Sequence, residues 1–326
     1  MIDSADNFNE IRQSEGGYIP FKFFVDFLEF LQNNKDIFEI ITYDDLPWGE
    51  DYDYLNNYSQ ERKTWQYELN NEIRDPQKIY VLLQHDVDSI AERTLAILRE
   101  EERLGIRSNI MIFNRRINRQ HLEKTGNLLY TPYELDYDYL IRLQDQYGFV
   151  IGYHCNAYER ALFDREKALE IFEEDVSALR QHFNIRYFSP HGGPRSSEGL
   201  SNNSLEIPDS LRYSLRWVAN KRTVRFDRSY SDGGLNSLSR NPADRDLRDF
   251  VRMWQRGKRY RVLVHPQYYH SPCEHSPRLA GTPWYEEVLS CYSSSQLATA
   301  WNNVHWELKT FKNNLSEFEQ SKTTLI

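Results

Sequence analysis

The chain has 326 residues, a formal net charge of −9 and a pI near 5.6. This length allows one large barrel or α/β domain or two smaller domains, and the acidic charge argues against nucleic acid as a partner. The three cysteines, Cys155, Cys273 and Cys291, show no pairing pattern and favour a reducing compartment. The N-terminus lacks the basic and apolar regions of a signal peptide, and no run of about 18 apolar residues occurs, so we expect a cytoplasmic protein without a transmembrane segment.

The N-terminal part, residues 1–78, is predicted to be an extension that packs on the main domain. Apolar residues at helical spacing predict an amphipathic helix over 21–33, and a short strand follows over 38–43. The acidic, tyrosine-rich segment 50–77 is predicted to be a surface insertion that contains a helical stretch over 60–73. It precedes the first central strand.

Strands and helices alternate through the remaining chain, residues 79–326. Predicted strands begin at Tyr80, Ser108, Phe149, Ile185, Thr223 and Tyr260. Strands separated by helices indicate βαβ units and a mainly parallel sheet. We therefore predict an α/β fold for this domain: a (β/α) barrel, distorted or incomplete, with surrounding helices and a C-terminal helix over 296–319.

The first strand of this series, residues 80–89, ends in two carboxylates. Side chains alternate across a strand, so Asp86 and Asp88 share one face, whereas His85 faces away and is expected to be structural. Burying two like charges is costly unless something compensates. A metal cation or a shared proton would compensate. Two solvated aspartates that cap the following helix are the alternative.

Chemically active side chains also end the other predicted strands. In parallel α/β folds the active site lies at the C-terminal ends of the strands. We therefore expect one site to collect the side chains at those positions. The set comprises Asp86, Asp88, His154, His191, Asp232 and His265.

The motifs at these strand ends resemble those of the polysaccharide deacetylase family, which are metal-dependent carbohydrate esterases. The family's first motif, a strand ending in paired aspartates, is matched by residues 85–88 (His-Asp-Val-Asp), the form of a variant subgroup. The second and third motifs are matched by residues 151–154 (Ile-Gly-Tyr-His) and 189–194 (Ser-Pro-His-Gly-Gly-Pro), and the last by 263–266 (Leu-Val-His-Pro). The resemblance covers roughly residues 79–270.

The chain departs from the family's pattern at one metal ligand. The usual second histidine, four residues after the first, is replaced by Tyr158, a poor zinc ligand. A histidine, His191, stands instead in the third motif. We infer that Asp88, His154 and His191 supply one carboxylate and two imidazoles to a divalent metal, with an open position for water. Zinc is the first choice, and cobalt, iron or nickel would suit the same ligands.

The resemblance implies hydrolytic removal of an N- or O-linked acetyl group from a saccharide. Asp86 would be the general base and His265 the general acid that protonates the leaving group. Asp232 and Tyr153 are assigned to substrate binding. Alternative roles are an orienting carboxylate for Asp86, a core histidine for His265, ordinary turn chemistry for Asp232 and, for His191, a turn whose backbone N–H stabilises an oxyanion.

Two further functions are consistent with the sequence. Loss of the second-motif histidine would suit a degenerate deacetylase that binds saccharide without hydrolysing it. A metal-dependent amidohydrolase that acts on a non-sugar amide would use the same chemistry. For the deacetylase, the expected partner is an acetylated saccharide, and without a signal peptide a sugar nucleotide or lipid-linked saccharide is favoured over an extracellular polymer.

Overall fold

A computed structural model describes most of the chain between residues 19 and 270. The described residues are 19–46, 48, 58–59, 64–65, 75–89, 91–204, 206–218, 226–235, 247–251 and 254–270. The helix predicted over 296–319 lies outside these described residues.

The fold is built around one eight-stranded sheet in which every strand pairing is parallel. Its strands are Phe38–Ile41 (β1), Ile79–Val87 (β2), Asn109–Ile112 (β3), Val150–Cys155 (β4), Tyr187–Pro190 (β5), Arg216–Trp217 (β6), Arg228–Ser231 (β7) and Arg259–Val264 (β8). Across the sheet their order is β6-β5-β4-β3-β2-β8-β7, and β1 pairs with the N-terminal half of β2. Within the described residues β6 and β7 do not pair with each other, so the prediction of an incomplete (β/α) barrel is confirmed.

Helices lie between most of the strands, as parallel pairing requires. They are Phe21–Asn33 (α1), Ala91–Leu104 (α2), Arg119–Thr125 (α3), Tyr137–Tyr147 (α4), Ala157–Arg160 (α5), Arg165–Leu179 (α6) and Arg248–Val251 (α7). Local signals set their ends. Asp164 caps α6 by accepting the backbone N–H of Lys167 at 3.0 Å, and Gly148 ends α4 in the left-handed conformation with φ of 72°.

The alternation of side chains along β2 separates the core from the site. Val81 and Leu83 pack in a hydrophobic cluster with α1, whereas Tyr80 and Leu82 pack on the other face of the sheet with residues of β1, β3, β4 and β5. Asp86 continues this second face, which we call the inner face. Strand periodicity therefore brings the carboxylate of Asp86, next to the buried amide of Gln84, to the C-terminal end of a face whose first residues are apolar.

The N-terminal part of the chain is joined to the sheet. Strand β1 extends the sheet itself, and Ile19–Pro20 pairs in parallel with Tyr269–His270. The predicted extension therefore does more than pack on the barrel, and the division at residue 78 stays a prediction. Among the described helices, none is both long enough and apolar enough to cross a membrane.

The helix predicted over 60–73 is wrong at two residues. Thr64–Trp65 forms an antiparallel pair with Tyr58–Ser59. Aromatic and β-branched residues favour such pairing over a helix. The other residues of this predicted helix lie outside the described part of the chain.

Candidate metal centre

Asp88, His154 and His191 meet at the C-terminal edge of the sheet. Asp88 directly follows β2, His154 is on β4, and His191 directly follows β5. Oδ1 of Asp88 lies 3.2 Å from Nε2 of His154 and 3.8 Å from Nε2 of His191. The three candidate ligand atoms lie within 4.8 Å of one another. The structure thus brings together the three side chains assigned to metal from sequence, and their binding of a metal stays a prediction.

The rest of the protein orients both imidazoles through their Nδ1 atoms. Nδ1 of His154 lies 3.1 Å from the carbonyl oxygen and 3.0 Å from the hydroxyl of Ser189. Nδ1 of His191 lies 2.7 Å from Oε1 of Glu159. A carbonyl or carboxylate oxygen at this distance favours the proton on Nδ1. Nε2 is then the atom that each ring presents to Asp88, as in histidines that bind metals.

The donor set fits a divalent metal. Among the described residues, the buried Oδ1 atom of Asp88 has no hydrogen-bond partner of good geometry, whereas Oδ2 accepts from Nε2 of Gln267 at 2.8 Å. Burial would raise the pKa of Asp88, but the imidazoles of His154, His191 and His265 hold it well below its usual value. An ionised oxygen therefore faces two ring nitrogens, and two imidazoles with one carboxylate form a ligand set that suits zinc.

Protons compete with metal at this cluster. Burial lowers the pKa of His191, but Glu159 and then Asp88 raise it above the ordinary value. A metal ligand must release the proton from the nitrogen that it uses. We therefore expect metal binding to weaken as the pH falls.

Asp86 lies beside the three-residue cluster but is held differently. Its Oδ1 atom accepts from Nε2 of Gln84 at 2.6 Å and from the hydroxyl of Ser189 at 3.4 Å. Its Oδ2 atom lies 3.9 Å from Nε2 of His154. One oxygen is thus held by the protein and the other stays near the cluster, and the role of Asp86 as general base stays a prediction.

His265 is bound by the carboxylate of Asp232. Its Nδ1 atom lies 2.6 Å from Oδ1 of Asp232, and its backbone N–H donates to Oδ2 at 2.6 Å. Burial would lower the pKa of His265, but Asp232, followed by Asp88 and Asp86, raises it to about 9. Asp232 is itself fully buried, with both oxygens occupied by His265. The predicted substrate contact of Asp232 is therefore replaced by a contact with the candidate acid.

Tyr153 also departs from its predicted role. Its side chain is fully buried, its ring packs edge-on against Phe172, and its hydroxyl donates to Oδ2 of Asp175 at 2.6 Å. Strand alternation explains this position. The side chain of His154 lies on the inner face, so the side chains of its neighbours Tyr153 and Cys155 lie on the opposite face. The structure therefore places Tyr153 in the core and corrects its assignment as a substrate contact.

Several residues of the site had no clear sequence signal. The ring of Phe113 stacks on His154 with centroids 4.9 Å apart, and it meets His191 edge-on at 5.2 Å. Phe113 directly follows β3, so its strand-end position was its one available signal. The remaining missed residues hold the ligands or the candidate base by hydrogen bonds, and they are Gln84, Glu159, Ser189 and Gln267.

Comparison with known proteins finds only distant similarity. No family model and no curated protein matches the chain. One similar solved structure is a family 4 carbohydrate esterase from Bacillus anthracis, with a TM-score of 0.32 and 15% identity over 75% of this chain and 89% of that chain. Another is a mutant, with restored enzymatic activity, of a pseudoenzyme of the same esterase family, with a TM-score of 0.31 and 15% identity over 59% of this chain and 58% of that chain. The inference of function therefore depends on the side chains of the site.

Proposed function

We propose that the chain is a metal-dependent hydrolase that removes an acetyl group from a saccharide or saccharide precursor. The convergence of Asp88, His154 and His191 carries this proposal. Asp86 and His265, each held by its own hydrogen-bond partner, supply a base and an acid beside the cluster. The order and spacing of the motifs resemble those of polysaccharide deacetylases and support the same reaction.

A divalent cation on Asp88, His154 and His191 would polarise the acetyl carbonyl and lower the pKa of water. The imidazole ligands favour zinc, and cobalt, iron and nickel suit the same set. The protein itself keeps the Nε2 atoms of His154 and His191 and the Oδ1 atom of Asp88 directed at one point.

The proton transfers fall to Asp86 and His265. With Oδ1 of Asp86 occupied by Gln84, its Oδ2 atom is the one that takes a proton from the attacking water. His265 keeps its proton at neutral pH because its pKa is raised to about 9, so it can protonate the departing nitrogen or oxygen. Asp232 fixes Nδ1 of His265, which leaves Nε2 to deliver the proton.

The proposed substrate is a saccharide that carries an N-linked or O-linked acetyl group. A sugar nucleotide or a lipid-linked saccharide is the precursor that we propose, with a cytoplasmic location. We propose no nucleic acid partner, since the net charge is −9.

The saccharide-binding alternative follows from one specific position. Tyr158, which stands where the resembled family has its second histidine, is buried in the hydrophobic core and offers no imidazole. If His191 does not replace that ligand, the chain would hold metal poorly and could bind saccharide without hydrolysis.

Acetate release tests the proposal. The full chain is incubated with a panel of acetylated sugars, sugar nucleotides and non-sugar acetamides, each with zinc, cobalt, iron or nickel. We expect acetate from a saccharide substrate, loss of release with a chelator and in His191→Ala, and normal release in His182→Ala, which removes an exposed histidine. Saccharide binding without acetate release would favour the binding protein, and release from non-sugar amides alone would favour the amidohydrolase.

A further inference from the structure

Glu159 is a buried carboxylate that belongs to the surroundings of His191. It lies on α5, one residue after Tyr158, and its side chain is 1% exposed. Its Oε1 atom lies 2.7 Å from Nδ1 of His191 and accepts from Nδ2 of Asn202 at 2.6 Å. A buried carboxylate needs such partners. Both come from the loop that follows β5.

The same loop is tied to β4 and α5 by hydrogen bonds to the backbone of those two elements. The N–H of His191 donates to the carbonyl of Cys155 at 2.8 Å. Asn202 accepts the backbone N–H of Tyr158 at 3.0 Å and donates to the carbonyl of His191 at 3.2 Å. The His191 backbone is therefore held by Cys155 and by Asn202, which also donates to Glu159. The direct contact of Glu159 with His191 is to the imidazole.

Two adjacent glycines differ in how closely they approach Glu159. A Cβ atom at Gly193 would lie 1.7 Å from Oε1 of Glu159, a distance that no side chain can occupy without displacing that oxygen. A Cβ atom at Gly192 would meet nothing within 4 Å. The loop thus needs glycine at position 193 to pass over the carboxylate, whereas position 192 has open space.

We propose that Glu159 is the positioning residue that makes His191 a metal ligand, and that Gly193 is required because the loop closes over the Glu159 carboxylate. This inference deepens the proposed function and rests on it. By accepting the Nδ1 proton, Glu159 leaves the lone pair of His191 on Nε2, toward Asp88. In the resembled family, this helical segment supplies an imidazole. Here the next residue, Glu159, supplies the carboxylate that holds an imidazole from the loop after β5.

The test measures zinc affinity of the metal-stripped full chain by competition with a chelating dye. We expect Glu159→Ala to weaken zinc binding by about 10–100-fold, the usual effect of removing a partner of a ligating histidine. Glu159→Gln should recover much of the affinity, since its amide oxygen also accepts the Nδ1 proton. If Glu159→Ala does not fold, Glu159→Leu takes its place, since leucine also removes the acceptor but fills more of the buried space. With cobalt in place of zinc, Glu159→Ala should alter the visible absorption bands of the metal.

The two glycines provide a matched pair of variants. Gly193→Ala should weaken zinc binding and Gly192→Ala should not. In a Glu159→Ala background, Gly193→Ala should have little additional effect, because the two changes act through one contact. Thermal melting of each variant separates a loss of folding from a loss of affinity.

Three results would overturn the inference. Wild-type affinity in Glu159→Ala would show that the carboxylate does not position His191. An equal effect of Gly193→Ala with and without Glu159 would show that this glycine acts elsewhere. A wild-type chain that binds no divalent metal would overturn the proposed function together with the inference, whereas the first two results leave the proposed function standing.

Discussion

Asp232 accepts two hydrogen bonds from His265, one from the backbone N–H and one from Nδ1 of the ring, each 2.6 Å long. Burial acts to lower the pKa of this imidazole, but Asp232 is the first of three carboxylates that together raise it to about 9. His265 is therefore an acid that keeps its proton through the neutral range. Its deprotonation should set the upper pH limit of activity.

Asp232→Asn should move that limit to lower pH. Burial lowers the pKa of His265, and without the Asp232 charge only Asp88 and Asp86 counter that effect. The pKa of His265 therefore falls, and the imidazolium loses its proton at a lower pH than in the wild type. The dependence of kcat/KM on pH for acetate release measures the change. An upper limit that stays at the wild-type pH in Asp232→Asn would show that His265 is not the titrating acid.

Variants of the two aspartates at the C-terminal end of β2 should separate metal binding from catalysis. Asp86→Asn should retain metal and lose about 10²–10⁴-fold in rate, since it removes the general base but no ligand. Asp88→Asn should lose both metal and activity. Metal content and acetate release of the two purified variants decide between these roles. If Asp86→Asn purifies without metal while Asp88→Asn retains it, the roles are reversed.

Gln267 should support the metal site through Asp88. Its Nε2 atom donates to Oδ2 of Asp88 at 2.8 Å, and its backbone carbonyl accepts from Arg93. Gln267→Leu should weaken zinc binding by about 10-fold or more, because the ligand carboxylate loses the donor that orients it. Gln181→Leu changes an exposed glutamine and serves as the control. Equal zinc affinities in the two variants would contradict this role.

Tyr153 should contribute to stability rather than to substrate binding. Tyr153→Phe removes the hydrogen bond to Asp175, which also accepts from Arg160 and Asn114. We expect the free energy of unfolding to fall by about 1 kcal/mol, with kcat and KM unchanged. Urea unfolding and steady-state kinetics provide the two readouts. A raised KM at wild-type stability would restore Tyr153 to the substrate site.

Periodicity and strand order made much of the fold and site predictable. In a parallel sheet the strand ends meet at one edge, so the positions of Asp88, His154 and His191 relative to their strands were enough to bring them together. The same periodicity, applied to Tyr153, would have placed it in the core. Its assignment to substrate came instead from its place in a motif.

Contacts that depend on the path of a loop were not predictable. Glu159 reaches His191 only because the loop after β5 folds back over α5, and Gln267 meets Asp88 although 179 positions separate them in the sequence. Neither pair has a periodic spacing that a sequence could reveal. Asp232 shows the same limit, because a turn sequence does not indicate which group its carboxylate will bind.

His191 is the ligand that we expect to replace the missing histidine, and the proposed metal centre depends on it more than on any other residue. Zinc K-edge X-ray absorption of the zinc-loaded full chain counts imidazole ligands directly. We expect two imidazoles, with nitrogens about 2.0–2.1 Å from zinc, in the wild type. We expect one in His191→Ala and two in the control His182→Ala. The same number of imidazoles in the wild type and in His191→Ala would contradict the proposed centre.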